Sequence, residues 1–145
     1  MIVELETTGM ANGGEAVARD GSGRVVFVEG ALDGERVAVE VIGEKRRFAR
    51  ARLVEVLEPS AERVRPACPE VDRGCGGCDL SHASHVHQLL VKAQVVEDAL
   101  ERIGRLEAIP PIAHGPALRT SRFRSTVRAG VVEGLPGSGA DEATN

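Results

Sequence analysis

The cysteines of this chain stand close together in the pattern C-x6-C-G-G-C. Cys68, Cys75 and Cys78 are all the cysteines among its 145 residues. A C-x-x-C turn directs two thiolates at one point, and the two glycines let the backbone curl there without a Cβ clash. Thiolate-rich sites select zinc or iron–sulfur clusters over hard cations. The spacing therefore predicts a metal site, and it does not separate zinc from iron–sulfur.

A histidine close to the last cysteine is the candidate for a fourth ligand. His82 completes the pattern C-x2-C-x3-H, and Cys3His is an ordinary zinc set. His85 and His87 follow at positions that cannot share one point with His82 on a regular helix, so we expect them to be exposed or hydrogen-bonded. Three cysteines cannot form a closed disulfide framework. A redox-active C-x-x-C pair, which would need a βαβ context, and inert buried thiols are the alternatives to metal.

A second group of candidate residues is the basic run around the middle of the first hundred residues. Residues 45–52 contain five Lys or Arg and one Phe. If they form a strand, positions 46, 48, 50 and 52 fall on one face or lean toward it. An aromatic ring among guanidinium groups can stack a nucleobase while the cations hold phosphate. A solvated strand edge, protected from edge-to-edge pairing by its charges, is the alternative. The candidate RNA-binding residues are Lys45, Arg46, Arg47, Phe48, Arg50 and Arg52.

Composition limits the context in which these residues act. There is no Trp or Tyr and there are only three Phe, so the core must be mainly aliphatic. Domains of roughly 60 residues are marginal without a staple, and a bound metal could supply one. The net charge of −4 argues weakly against nucleic-acid binding, although local charge matters more. No apolar run approaches the roughly 18 residues that span a bilayer, and no signal peptide is recognisable. We expect a cytoplasmic protein without a membrane partner, in a compartment where clustered cysteines favour metal.

Hydrophobic patterning predicts an α+β fold that begins with a small β-barrel. Short runs rich in β-branched residues are bounded by Gly or Asp-Gly, as is typical of strands joined by turns. Several such strands in close succession favour a closed or partly closed, OB-like barrel over residues 1–59. Strands are predicted at residues 2–6, 24–28, 36–41 and 48–57, with a glycine-rich turn region at residues 9–23.

The middle segment, residues 60–108, is predicted to hold the cysteine loop and one long helix. The helix is expected over residues 84–103, with Ser84 as its N-cap and Gly104 as a left-handed C-cap. Apolar residues at steps of three and four predict its buried stripe: Val86, Leu89, Ala93, Val96, Leu100 and Ile103.

The last segment, residues 109–145, is predicted to be a linker followed by an incomplete β region. One more strand is expected over residues 123–132, and a disordered tail over residues 137–145 because that stretch has nothing to bury. A single strand followed by such a tail is an unusual end for a domain. We therefore expect the chain to be cut short.

Several of these motifs occur together in one known family. C-G-G-C is followed by a helix that ends in Arg-Ile-Gly at residues 102–104, and Gly-Gly-Glu-Ala at residues 13–16 precedes the strand at residues 23–28. Phe-Arg-Ser at residues 123–125 stands where that family has a Tyr-Arg-Asn-like segment. The combination resembles the RNA (uracil-C5) methyltransferases, S-adenosylmethionine-dependent enzymes that make 5-methyluridine in tRNA or rRNA. The β-rich start resembles the TRAM domain that precedes the cysteines in many members.

The resemblance covers residues 2–132 and implies roles for several residues. It implies a TRAM barrel that helps to bind tRNA or rRNA rather than DNA, and it adds Arg124 to the RNA-binding candidates. It also implies a 4Fe–4S cluster with Cys68, Cys75 and Cys78 as ligands. The family's fourth cysteine lies beyond the end of this sequence, so His82 or a small exogenous ligand would complete the cluster. The sequence also departs from the family at Ser81, where a Gln commonly precedes the motif's His.

The family's reaction needs groups that this sequence does not contain. A cysteine attacks uracil C6, a base removes the C5 proton, and an α/β domain binds S-adenosylmethionine at its strand ends. All cysteines here belong to the metal motif, and no strand-glycine-helix cofactor fingerprint is found. We expect the RNA-binding and iron–sulfur portion of such an enzyme, without methyl transfer of its own and without a site for S-adenosylmethionine unless a C-terminal domain is present. A free-standing RNA-binding module and a zinc-stabilised interaction domain are the alternatives.

Overall fold

The computed structural model describes residues 1–71 and 73–116, of which Met1–His114 form one compact unit. The predicted strand at 123–132, the predicted tail and Arg124 lie outside the described residues. The described elements are β1 (Ile2–Met10), β2 (Ala16–Arg19), β3 (Val25–Glu29), β4 (Arg36–Glu44), β5 (Phe48–Glu58), a 3-10 turn (Pro69–Val71) and α1 (His85–Arg102).

The five strands close into a barrel in the order β1-β2-β3-β5-β4, with β4 pairing back to β1. All neighbours are antiparallel except β3 and β5, which run parallel and bring residues 25–29 beside residues 48–52. The barrel and the mixed α+β class predicted from the strand pattern are confirmed. Closure removes the free sheet edges that a set of short strands would otherwise expose.

The barrel interior is lined by small aliphatic side chains, as the composition predicts. In β5, Ala49 and Ala51 point inward and are buried, whereas Phe48, Arg50 and Arg52 alternate to the outer face. No aromatic side chain belongs to the buried core of the described residues. The core comprises Leu5, Ala16, Ala18, Val26, Val28, Ala31, Val37, Val39, Ala49 and Ala51.

One strand lies inside the region predicted to be turns. β2 is four residues long, and Ala16 and Ala18 are fully buried while Val17 and Arg19 face outward. The glycines on both sides, Gly14 and Gly23, have positive φ and form the turns that enclose it. The prediction of a glycine-rich turn region over residues 9–23 missed this strand because pairing with both β1 and β3 stabilises a strand too short to stand out in the sequence.

The helix occurs where it is predicted, but it buries a different face. Ser84 is the N-cap, and its hydroxyl accepts a hydrogen bond of 3.1 Å from the His87 N–H. The predicted stripe is wrong in that Val86, Val96 and Ile103 are 65%, 45% and 84% exposed, while the buried residues are His87 and Val91. The helix is therefore most buried on the side of His87 and Val91, and not along its largest set of aliphatic residues.

The predicted left-handed cap at Gly104 is also wrong. The residue with positive φ is Arg105, at 52°. Glycine at position 104 meets another requirement, since a Cβ there would lie 2.6 Å from the Leu100 carbonyl oxygen. None of the helices in the part of the chain that the structure describes has the length and apolarity to cross a membrane.

Candidate nucleic-acid interface and cysteine loop

The basic run predicted from the sequence occupies the β4–β5 turn and the outer face of β5. Lys45, Arg46 and Arg47 form the exposed turn, which is closed by a hydrogen bond of 2.8 Å from the Lys45 N–H to the Phe48 carbonyl. Phe48 is half-buried, and Arg50 and Arg52 are exposed on the same side of the strand. The structure therefore brings all six candidates to one end of the barrel and its adjoining face.

Ion pairing divides these cations into two groups. Arg50 is paired with Glu15, and Arg52 donates to Glu40 at 2.6 Å. Lys45, Arg46 and Arg47 form no salt bridge with a described residue, so the turn carries the uncompensated positive charge. The turn is therefore a better candidate for a phosphate contact than the two arginines on the strand.

A second aromatic residue that the sequence did not single out completes this face. The Phe27 ring lies 5.8 Å from the Phe48 ring in an edge-to-face arrangement at 73°, and the Arg50 guanidinium carbon lies 5.8 Å from the Phe27 centroid. The parallel register aligns Phe27 with Arg50 across β3 and β5. Phe27 and Arg50 are 23 residues apart in the sequence, so local patterns do not predict this contact. It results from the parallel pairing of β3 with β5.

The three cysteines lie in a loop with little packing of its own. Cys68, Cys75 and Cys78 are exposed and form no disulfide. No described residue from 64 to 82 is buried. The backbone of the loop is held by the 3-10 turn and by a hydrogen bond of 3.0 Å from the Cys75 N–H to the Glu70 carbonyl.

The loop has metal-binding residue types without an assembled metal site. Its exposed thiols are the ligand type that zinc and iron–sulfur clusters take, so the donor chemistry fits. Within residues 1–71 and 73–116, no group of three or more His, Cys, Asp or Glu side chains is arranged to hold a metal ion. The ligand roles assigned to the cysteines remain predictions.

The two ends of the cysteine loop are joined to each other. Arg63 and Ala83 form an antiparallel β-bridge, and the Val64 N–H donates to the His82 carbonyl at 2.9 Å. The Ser84 N–H donates to the Glu62 carbonyl at 2.8 Å. These bonds close residues 64–82 into a loop with a two-stranded base.

That base is attached to the barrel through the buried carboxylate of Glu35. Arg63 donates to its two oxygens at 2.5 and 2.8 Å, and the backbone N–H groups of Leu32 and Ser60 donate at 2.8 and 3.2 Å. Burial alone would raise the Glu35 pKa, but the hydrogen bonds from Arg63 and the two backbone amides outweigh it and the pKa is lowered. Thr7 adds a further bond because the Glu35 N–H donates to its hydroxyl at 2.9 Å.

Two histidines attach the same base to the segment between β3 and β4. His82 lies half-buried with Nε2 at 3.3 Å from the Ala31 carbonyl oxygen, and its burial lowers its pKa. A metal could therefore take only its other ring nitrogen without breaking this contact, and its role as a ligand stays a prediction. His87 is buried, with Nε2 at 2.7 Å from Asp33, whereas His85 is exposed. The expectation that these two histidines are hydrogen-bonded or exposed matches the structure.

The glycine-rich loop between β1 and β2 touches the cysteine loop. Gly14 has a φ of 81°, and a Cβ at that position would lie 2.7 Å from the Asp79 Cβ. Asp79 directly follows Cys78 in the sequence. A side chain at residue 14 would thus push against the backbone that carries the last cysteine, which explains why glycine is needed there.

Comparison with known proteins places the barrel in a family. Residues 2–54 match the family model described as the TRAM domain. The barrel is a TRAM domain. Over 127 residues the chain is 40% identical to the uncharacterized RNA methyltransferase sll1967 of Synechocystis, covering 86% of this chain and 27% of that protein. It is 38% identical over 133 residues to the 23S rRNA (uracil(1939)-C(5))-methyltransferase RlmD of Bordetella pertussis, covering 90% of this chain and 26% of that protein.

The homology extends beyond the TRAM domain into the cysteine loop and α1, since the aligned lengths far exceed 53 residues. The resemblance to RNA (uracil-C5) methyltransferases is therefore confirmed at the level of homology. The chain spans about a quarter of the length of these curated relatives. A solved structure of a conserved protein from Methanococcus maripaludis is 37% identical, with coverage of 37% of this chain and 76% of that one and a TM-score of 0.35.

Proposed function

We propose that this chain is the RNA-binding and metal-carrying portion of an RNA (uracil-C5) methyltransferase that acts on tRNA or rRNA. The observation that carries the proposal is the exposed β4–β5 turn of the TRAM barrel. It presents three cations without carboxylate partners among the described residues, directly beside the Phe48–Phe27 pair. Homology to proteins named as RNA methyltransferases supports RNA as the ligand of this face.

The proposed chemistry divides the face into two functions. Phosphates of a single strand contact the turn, where each neutralised phosphate releases counterions and makes binding salt-dependent. An unpaired base stacks on the half-buried rings, which accept any base because every base has a π-face. Arg50 and Arg52 already have carboxylate partners, so their contribution is smaller than that of Arg46 and Arg47.

A salt titration of RNA binding tests this proposal. In fluorescence anisotropy with a uridine-rich single-stranded RNA, we expect Arg46→Ala to weaken binding and to reduce the slope of log K against log salt by about 0.7. Arg36→Ala is the matched control, because Arg36 is an exposed β4 arginine paired with Glu4 and Glu58. It lies eight residues from Glu44 at the turn end of β4, or roughly 26 Å along the strand. Equal slopes for both variants would remove the turn from the interface.

The metal part of the proposal concerns the cysteine loop. We infer that Cys68, Cys75 and Cys78 hold a 4Fe–4S cluster, with zinc as the competing occupant. The proposed role of this metal is structural. Bound to three thiolates, it would stabilise a loop in which no described residue is buried. His82, through the ring nitrogen not used on Ala31, or an exogenous ligand would complete the coordination.

Elemental analysis distinguishes the two occupants. Iron with an equal amount of acid-labile sulfide after anaerobic purification, with a visible absorption band, would support the cluster. Stoichiometric zinc without iron after the same procedure would favour the zinc-stabilised module instead. A purified chain that contains neither iron nor zinc would contradict the metal-carrying part of the proposal.

The whole enzyme's reaction is expected to require more than this chain. All of its cysteines lie in the loop, which leaves none for attack on uracil C6 while they bind metal. We therefore expect the purified chain to transfer no methyl group from S-adenosylmethionine to RNA. Incorporation of label from the cofactor into uridine would contradict this expectation.

A further inference from the structure

A groove runs between the outer face of the TRAM barrel and α1. Its volume is about 800 Å³. One wall is formed by Val17, Val25 and Phe27 of the barrel, and the other by Val96, Leu100 and Ile103 of the helix. Val96 and Ile103 are 45% and 84% exposed, so the apolar stripe expected to be buried instead lines or borders an open groove.

We propose that this groove continues the RNA site of the β4–β5 turn, so that a single strand of RNA crosses the barrel face and places a base between the barrel and α1. The inference rests on the proposed RNA-binding function and deepens it, because it adds the helix to the interface. The occupant is single-stranded RNA, whose bases offer an apolar face to the groove and whose phosphates offer negative charge to its rim.

Strand register connects the turn to the groove. Val25 in the groove wall is aligned with Phe48 in the parallel β3–β5 pair and with Arg19 in the β2–β3 pair. Phe48 directly follows the basic turn, and its ring contacts that of Phe27 in the same wall. A strand that leaves the cationic turn therefore meets Phe48, then Phe27, and then the groove without crossing an unrelated surface.

Charge at the groove is compatible with a polyanion. Arg19 of β2 and Arg102 at the end of α1 both border it. The carboxylate that borders it, Asp98, is paired with Arg102. Together with the cations of the adjoining turn, which pair with no carboxylate of residues 1–71 or 73–116, this arrangement makes the entrance positive while the walls remain apolar, which is the pattern of a single-strand binding channel.

Two valines of α1 provide a matched test in the full chain. Val96 lines the groove and Val86 does not, although both are exposed on the same helix. We expect Val96→Glu to weaken binding of a uridine-rich single-stranded RNA about tenfold, and Val86→Glu to change it by less than about twofold. Phe27→Leu, which keeps an apolar side chain but removes the aromatic face, should also weaken binding by about tenfold. Circular dichroism and urea midpoints identify any variant whose loss comes from unfolding.

The outcomes separate this inference from the function on which it rests. If the unaltered chain binds no RNA, the proposed function fails. If it binds and Arg46→Ala weakens binding, but Val96→Glu equals Val86→Glu and Phe27→Leu binds normally, only the groove is overturned. A change in oligomeric state for Val96→Glu with unaltered RNA affinity would identify the groove as a self-association surface and would also overturn the inference.

Discussion

The TRAM barrel has a buried hydrophobic core, whereas the cysteine loop has none among its described residues. The barrel closes a ladder of five strands around ten buried aliphatic residues and leaves no sheet edge. The loop, over residues 64–82, contains no buried side chain among those described, and its thiols are exposed. The barrel is thus stabilised by its own side chains, whereas the loop depends on what fastens its ends and its cysteines.

The contacts between the two regions include two hydrogen-bonded pairs and one close steric contact. Glu35 holds Arg63, Asp33 holds His87, and Gly14 lies against Asp79. Each of these contacts involves a turn or connecting segment of the barrel and not its core. The difference suggests that the barrel can keep its fold when the loop is disturbed, while the loop cannot keep its position when these contacts are lost.

The largest effect is expected from removing the buried carboxylate that joins the regions. Glu35→Ala removes the carboxylate that pairs with Arg63 and accepts from two backbone amides, leaving Arg63 its hydrogen bond to the Gly30 carbonyl. It should destabilise the chain by about 3–5 kcal/mol in urea unfolding. Glu40→Ala is the control, because Glu40 forms an exposed pair with Arg52 and should cost about 0–1 kcal/mol. Similar losses for both variants would show that the Glu35 anchor is not special.

The pH dependence of this anchor has a definite sign. The Glu35 pKa is lowered in the folded state, so its contribution to stability is present above its ordinary pKa of 4.5 and is lost as the pH falls through the lowered value. The stability difference between the unaltered chain and Glu35→Ala should therefore narrow only in that acidic range. A difference that is already lost at neutral pH would contradict the assignment of an ionised, hydrogen-bonded Glu35.

A glycine pair sharpens the comparison at the second point of contact. Gly14 and Gly23 both have positive φ, at 81° and 83°, but only Gly14 faces another part of the chain. Alanine at position 23 should lower the free energy of unfolding by about 1–2 kcal/mol, because a residue with a Cβ is strained at positive φ. Alanine at position 14 should cost roughly 2–4 kcal/mol because overpacking against Asp79 is added. Asp79→Gly in the Gly14→Ala background should recover the added part, and failure to do so would show that the contact carries no energy.

The sequence predicted the parts of this molecule that depend on local pattern. Alternation in β5 placed Phe48, Arg50 and Arg52 on the outer face, and Ser84 was recognisable as a cap because its side chain bonds two or three residues ahead. The candidate cations were therefore found before the fold was known. Their pairing state was not predictable, since Arg50 is neutralised by Glu15 from the β1–β2 loop and Arg52 by Glu40 from β4, both distant in the sequence.

Features set by tertiary contacts could not be predicted from the sequence. Phe27 reaches Phe48 only because β3 and β5 are parallel neighbours, and no local signal announces that pairing. The buried positions of α1 are His87, which contacts Asp33, and Val91, and the periodicity of aliphatic residues did not identify either of them. Glu35 was overlooked because a carboxylate in a turn-like segment is ordinarily a surface residue.

A smaller effect, confined to the loop, is expected from removing its metal ligands. If the cysteines hold metal, Cys78→Ser or chelation should increase tryptic cleavage after Arg73, an exposed loop residue, by roughly tenfold. The urea midpoint of the barrel should change little. Ser81→Ala is the control, since its hydroxyl has no hydrogen-bond partner within the described residues. Equal cleavage rates for the unaltered chain and Cys78→Ser would show that the order of the loop does not depend on the Cys78 thiol.

The smallest effect is expected at the β2–β3 turn, on the barrel side of the comparison. Hydrogen bonds from the Ser22 hydroxyl, and then from Arg24 and the backbone, lower the Asp20 pKa to about 2. A lowered folded-state pKa means that this carboxylate stabilises the fold above pH 3.8 and loses that contribution as the pH falls through about 2. Asp20→Asn should therefore reduce the urea midpoint slightly at pH 7 and not below pH 2, and an NMR titration of Asp20 should give the same midpoint.

Measuring the metal content of Asp20→Asn and Glu35→Ala tests whether the loop depends on the Glu35 contact or on the stability of the whole barrel. Within the part of the chain that the structure describes, the Asp20 carboxylate accepts hydrogen bonds from Ser22 and Arg24 of its own turn and from no residue of the loop or its base. Asp20→Asn should thus retain the metal bound by the unaltered chain, whereas Glu35→Ala should lose part of it. Loss of metal from both variants to the same extent would mean that loop order follows overall barrel stability, and the Glu35 anchor would no longer be needed to explain it.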